Sequence, residues 1–174
     1  MGHVVFLRAA NVGGKNVFRP AELVKSLAKL DVINVGAAGT FVVRGRAAAA
    51  QIRREILSRL PFEPALAMVK ASEVLALVES KPFAGVRFSK RRRGWVAVMD
   101  KQPRLRPKLP VVVPAGKAWQ VRLERAQGRF ALGLWQRGTG GFVFPSHVVE
   151  RALGVTATTR WWETLERVAV LARD

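Results

Sequence analysis

The chain opens on a run of strand formers, Val4-Val-Phe-Leu7, and its apolar pattern then changes period several times. A short apolar run bounded by polar residues predicts a strand over His3–Arg8. Residues 9–19 predict a loop rich in Gly and Asn. Pro20 suits a first helical turn, and Glu22 complements the helix dipole. Leu23, Val24, Leu27 and Leu30 share one helical face, so 20–30 reads as an amphipathic helix. Val32–Val35 and Thr40–Val43 read as two strands of a hairpin around Gly36–Gly39. Ile52, Ile56, Leu57 and Leu60 give helical spacing over Ala47–Leu60, which Pro61 and Pro64 end. Ala65–Val69 is a further strand. The predicted order, β-α-β-β-α-β, is that of a ferredoxin-like unit.

Ser72 is placed to cap a helix over Glu73–Glu79. Strands are predicted at Gly94–Met99, Trp119–Leu123 and Arg129–Trp135, with Val111–Val113 as an edge strand. Pro82–Arg93 and residues 100–110 read as basic connectors. Pro145–Leu153 predicts a helix stopped by Gly154. Thr158 or Thr159 is placed to cap a last helix, with Leu165, Val168, Ala169 and Leu171 facing inward. The fold class is therefore α+β. Residues 1–80 form a ferredoxin-like subdomain, and residues 81–174 form a β-rich second part with two closing helices that shares its core. The core is expected to draw on Val5, Leu7, Leu23, Leu27, Val42, Ile52, Ile56, Leu66, Met68, Val96, Val98, Leu132, Leu134, Phe142, Phe144, Leu153, Leu165 and Val168.

Composition removes much chemistry. The 174 residues, 49% hydrophobic, suffice for a buried core and exclude global disorder. There is no Cys and no Tyr, and His occurs only at His3 and His147. Thiolate nucleophiles and Cys-based metal sites are thus excluded. The G-x-S-x-G and H-E-x-x-H patterns are absent. Ser146 and His147 are adjacent on a helix start, where neighbouring side chains diverge. No residue set specifies a reaction, and no metal or cofactor is implied. No apolar run approaches a membrane span or a signal-peptide core, so the expectation is a cytoplasmic protein with no membrane partner. The oligomeric state is left open.

Three segments together resemble one family. Leu7-Arg8-Ala-Ala-Asn-Val-Gly-Gly-Lys15-Asn16 resembles the N-terminal signature, L-R-G-I-N-V-G-G-x-N, of the domain-of-unknown-function 1697 family. Ala38-Gly39-Thr-Phe-Val-Val43 is similar to its S-G-N-V-V-F segment. Leu153-Gly154-Val-Thr-Ala-Thr-Thr-Arg160-Trp-Trp-Glu-Thr164 is similar to its L-G-x-x-A-T-T-R-N-W-x-T motif. The resemblance implies an α+β fold with a ferredoxin-like N-terminal part and brings no established activity. The chain departs from the pattern at Ala9-Ala10, Ala38, Thr40 and Trp161. At Ala9 a Cβ replaces the family's usual glycine.

Charge supplies the leading functional candidate. The net charge is +18, and the stretch Arg87–Pro110 holds nine basic residues and a single acid, Asp100. Lys90, Arg91, Arg92, Arg93, Lys101, Arg104, Arg106 and Lys108 could contact phosphates, with Trp95 placed to stack. The bland alternative is a solvated basic face, since 21 Arg against 9 Lys fits an Arg-rich composition. An RNA-recognition module is not the source, because its third strand needs three aromatics and only Phe41 is present. The expected partner is nucleic acid or another polyanion, bound without catalysis and with little sequence preference. The rival is a small enzyme or sensor for a phosphorylated metabolite. There Asn11, Gly13, Gly14, Lys15 and Asn16 would cradle an anion, with Arg8 or Arg160 as charge partners. A purely structural loop is the alternative at that site, since paired glycines commonly serve backbone geometry.

Overall fold

The computed structural model describes residues 2–173. By contact density the chain divides into two compact units: residues 1–82 with 164–174, and residues 83–163. The class is α+β, with two antiparallel sheets.

The first unit begins with β1 (His3–Leu7), α1 (Pro20–Ser26) and a 3₁₀ turn at Ala28–Leu30. It continues through β2 (Val32–Asn34), β3 (Thr40–Val43), α2 (Ala49–Leu57), β4 (Leu66–Lys70) and α3 (Ala71–Glu79). The helix expected over 20–30 is therefore an α-helix finished by a tighter turn. Its strands lie in the order β2-β3-β1-β4, every pairing antiparallel. Val5 and Leu7 of β1 pack with Phe41 and Val43 of β3, and with Leu23, Leu27, Ile52 and Ile56 from the helices. The opposite face, with Val4, Phe6, Val42 and Val69, is buried as well. Burial on both faces explains why these strands read as continuous apolar runs and not as alternation. Each such side chain contributes about 1.5–3 kcal/mol when fully buried.

Two local details differ from expectation. Ser72 does not cap α3. The helix starts one residue before it, and the Glu73 carboxylate accepts the Lys70 backbone N–H at 2.8 Å. The last helix, α5 (Trp162–Arg173), is not capped by Thr158 or Thr159. Those residues belong to a strand, because Thr is β-branched and the segment lies against an open sheet edge. Within the first unit, Arg44 donates to the Leu171 carbonyl from Nε at 3.1 Å and from a terminal nitrogen at 2.7 Å. This supplies donors to a carbonyl in the last turn of α5, where intrahelical partners run out.

The second unit holds β5 (Arg92–Met99), β6 (Val111–Val113), β7 (Val121–Gln127), β8 (Phe130–Gln136), α4 (Pro145–Leu153) and β9 (Ala157–Trp161). Their order is β6-β7-β8-β5-β9, again antiparallel. Val111–Val113 is an edge strand, as expected. Trp95, Ala97 and Met99 pack with Val121, Leu123 and Ala131 and with Val148, Val149 and Leu153 of α4. Trp95 fits because Gly133 lies beneath its indole; a Cβ there would sit 2.5 Å from the ring.

Phe142 and Phe144 correct the expected core. They are 49% and 48% exposed, whereas Val143 between them packs inward. The segment does alternate, but with the aromatics on the solvent side. Among the described residues, no helix is long and apolar enough to cross a membrane. None of the described His, Asp or Glu residues gathers into a group of three that could hold a metal.

Candidate functional site

The loop of residues 9–19 is organised by its own asparagines. Val12 bridges to Lys15 across Gly13 and Gly14, whose φ values of 57° and 72° require the left-handed region that glycine adopts without strain. The Asn11 side chain donates to the Ala37 carbonyl at 2.9 Å and accepts the Phe18 N–H at 2.9 Å. Asn16 donates to the Ala9 carbonyl at 3.2 Å. The loop is thereby tied to the 36–39 turn, where Leu7 N–H also reaches the Gly39 carbonyl at 2.8 Å. Thus the first two family-like segments meet in space. Both asparagine side chains are committed to holding backbone. Lys15, Gly13 and Gly14 are exposed, and Arg8 is half-buried. The helix that follows, α1, is only seven residues long and begins at Pro20, six residues after Gly14.

Ala9 has φ of 52°, in the same left-handed region. A Cβ in that conformation costs roughly 1 kcal/mol. Ala9→Gly is therefore expected to raise unfolding stability by about 0.5–1 kcal/mol, partly offset by the freer unfolded chain. Chemical denaturation of the two proteins measures this directly. An unchanged midpoint would mean that the strain is relieved elsewhere.

Arg160 does not start a helix. It lies in β9 opposite Val96, on the sheet face that also carries Leu132 and Leu134. Desolvation there lowers its pKa to about 10, which leaves it a cation at neutral pH. Its guanidinium donates to the Thr159 carbonyl at 2.8 Å.

The basic segment is split by the strand it contains. Lys90 and Arg91 lie in the turn before β5, and Arg92 and Arg93 begin that strand. Lys101, Arg104, Arg106 and Lys108 follow its far end, about 20 Å away at ~3.3 Å per strand residue. There the loop docks on the end of α4, with Arg104 and Leu105 N–H both bonded to the Leu153 carbonyl. The eight cations therefore form two groups and not one footprint. Trp95 leaves the list of stacking residues, since it is 0% exposed and part of the core.

Other aromatics take up positions beside the first group. The Arg93 guanidinium lies 4.0 Å from the Trp161 ring centre and 3.3 Å from the Glu163 carboxylate. Arg92 and Arg122 lie 5.9 Å and 6.0 Å from the Trp119 ring. Such contacts are attractive through the ring quadrupole. Arg137 joins the group through its N–H, which donates to the Arg91 carbonyl at 2.9 Å. Arg93 is paired with Glu163 and Arg122 with Glu124. Lys90, Arg91, Arg92 and Arg137 have no carboxylate partner among the described residues. From Trp161 the rings continue to Trp135 at 5.8 Å, Phe142 at 5.4 Å and Phe144 at 4.8 Å.

Sequence reasoning missed Trp119, Arg122, Arg137 and the two phenylalanines as surface groups. Strand register sets Arg92 and Arg122 on one face of the sheet and Arg93 and Trp135 on the other, and Phe142 joins the second face through its contact with Trp135. The one local signal was the Gly140-Gly141 turn before Phe142 and Pro145 after Phe144, which confine the alternating triplet to a loop.

The family profile described as "Protein of unknown function (DUF1697)" matches residues 1–112. The chain belongs to the DUF1697 family. A solved structure described as conserved bacterial protein SP0830 from Streptococcus pneumoniae is similar, with a TM-score of 0.61 at 16% identity, covering 98% of each chain. At that identity the likeness concerns the fold. No curated protein matches the chain. Within this DUF1697 member, the first two family-like segments thus build the loop and turn of the first unit. The third supplies β9 and the start of α5.

Proposed function

We propose that this DUF1697 protein binds nucleic acid as a polyanion, without catalysis and with little sequence preference. The observation that carries the reading is the group at the start of β5. There, among the described residues, Lys90, Arg91, Arg92 and Arg137 have no carboxylate partner, and Arg92 lies 5.9 Å from the Trp119 ring. Unpaired cations on a fixed strand end bind phosphates by releasing counterions. Loose sequence preference follows, since phosphate contacts position a nucleic acid but do not read it. The net charge of +18 adds long-range attraction for any polyanion.

The test is fluorescence anisotropy with labelled oligonucleotides, titrated from low to physiological salt. Binding in the roughly micromolar range that weakens steeply with salt is expected. Absence of binding at low salt would overturn the proposal.

A further inference from the structure

We infer that a cleft beside α1, in the first unit, is a binding site for a small monocarboxylate with an apolar body. The inference does not rest on the polyanion reading, whose cations belong to the second unit. The cleft has a volume of about 480 Å³, within the range of small-molecule pockets. Val17, Phe18, Leu23 and Pro61 give it an apolar wall. The group that selects the ligand is Arg59, which also lines the cleft. Its side chain is 35% exposed and uses a single nitrogen, Nη1, on the protein. Nη1 lies 2.6 Å from the Glu55 carboxylate, 2.8 Å from the Glu55 carbonyl and 3.3 Å from the Ser58 hydroxyl. Nε and Nη2 have no partner among the described residues. Those two nitrogens form the guanidinium edge that matches a carboxylate with two parallel hydrogen bonds. Local charge sets the valence of the ligand. Arg19 lines the cleft too, but it holds Glu22 at 3.0 Å, so the two arginines are matched by Glu22 and Glu55. A dianionic phosphate would meet two carboxylates with no cation left over. A monoanion needs only the open edge, and the net charge of +18 favours its approach.

The apolar wall is held in place before any ligand arrives. The Asn11 side chain accepts the Phe18 N–H at 2.9 Å while it donates to the Ala37 carbonyl at 2.9 Å. The Phe18 ring packs edge-on against Phe62, 5.9 Å between centres, and tilted against the buried Phe41 at 6.3 Å. Leu23 is part of the same core, and the Pro61 ring is stiff. Val17, 62% exposed, is the apolar surface that a ligand would cover. A wall fixed in this way loses little conformational freedom on binding. Asn11 of the family-like loop thus shapes the cleft by holding Phe18.

The experiment uses octanoate, below its micelle concentration, as the probe. Acetate supplies the charge alone and octan-1-ol the chain alone. Calorimetric titration of the full chain measures binding, and NMR amide shifts locate it. Octanoate should bind with a Kd on the order of 0.1–1 mM, roughly tenfold or more tighter than either control. It should shift the amides of Val17, Phe18, Leu23 and Ser26, which line the cleft. Arg59→Gln should weaken octanoate about tenfold and leave octan-1-ol unchanged, with circular dichroism checking that the variant folds. Ser26→Phe, at an exposed position, should fill the cleft and abolish octanoate binding. No octanoate binding to the wild type, or equal binding of acetate or octan-1-ol, would overturn the inference. So would shifts centred elsewhere, or octanoate binding unchanged in the folded Arg59→Gln variant. Each of these outcomes leaves polyanion binding standing, because oligonucleotide titrations test that separately.

Discussion

Gly133→Ala is expected to destabilise the protein by at least about 3 kcal/mol, the upper end of the overpacking range. A Cβ at Gly133 would overlap the Arg122 carbonyl oxygen and come within 2.5–2.8 Å of the Trp95 indole. The first obstacle is backbone in the paired strand β7, so it cannot swing aside as a side chain could. The second is a fully buried ring packed with Val121, Leu123 and Val149. Relief would have to come from shifting β7 beside its irregularity between Leu123 and Arg125. A loss of that size is a large share of the ~5–15 kcal/mol typical of a folded domain. It corresponds to a fall of about 6–12 °C in Tm for a chain of this length. Thermal denaturation followed by tryptophan fluorescence measures it. Gly140→Ala is the control, since a Cβ there meets only the Gln120 amide at 3.9 Å. Its midpoint should hardly move, and equal losses in the two variants would refute the packing argument.

Reversing Lys90, Arg91 and Arg92 to Glu together is expected to abolish nucleic-acid binding at physiological salt. Reversing Lys101, Arg104, Arg106 and Lys108 should weaken it far less. The reason is geometric. The two groups lie off opposite ends of β5, and only the first has tryptophan rings and Arg137 beside it. If three phosphate contacts vanish, the slope of log affinity against log salt should flatten by about two to three. Arg93 is left intact, because it is engaged with Trp161 and Glu163 and its loss would disturb the fold. Anisotropy titrations at several salt concentrations separate the sets. Equal effects of the two sets would mean that diffuse charge does the binding and that the start of β5 is not a site.

Both predictions depend on features of differing legibility. The strands and helices of the first unit follow from local pattern. Val4–Leu7 is an unbroken apolar run, Leu23–Leu30 and Ile52–Leu60 carry helical spacing, and Pro20, Pro61 and Pro64 mark the helix limits. β9 escaped that reasoning. Ala157–Trp161 is short, has one polar Thr pair, and becomes a strand only because β5 offers it an edge. Phe142 and Phe144 were misplaced for a related reason. An alternating triplet reveals that two faces differ, but burial of Val143 against α4 decides which face is inside.

The candidate site divides in the same way. The excess of cations over Arg87–Pro110 is a property of the chain, and so is the shortage of nucleophiles and metal ligands. The partition of those cations into two groups is not, because it needs the length and direction of β5. Trp95 stands two residues past the basic run Lys90–Arg93 in sequence, yet its side chain points into the core between Gly133 and α4. Trp119, Arg122 and Arg137 stand 24, 27 and 42 residues further along, and the pairing of β7 and β8 brings them to the same end of the sheet. The sequence by itself thus determined composition, the local elements and the total charge, all of which depend on near neighbours. Only the tertiary structure decided which rings and cations share a surface, because antiparallel pairing joins residues far apart along the chain and the pleat assigns each to a face.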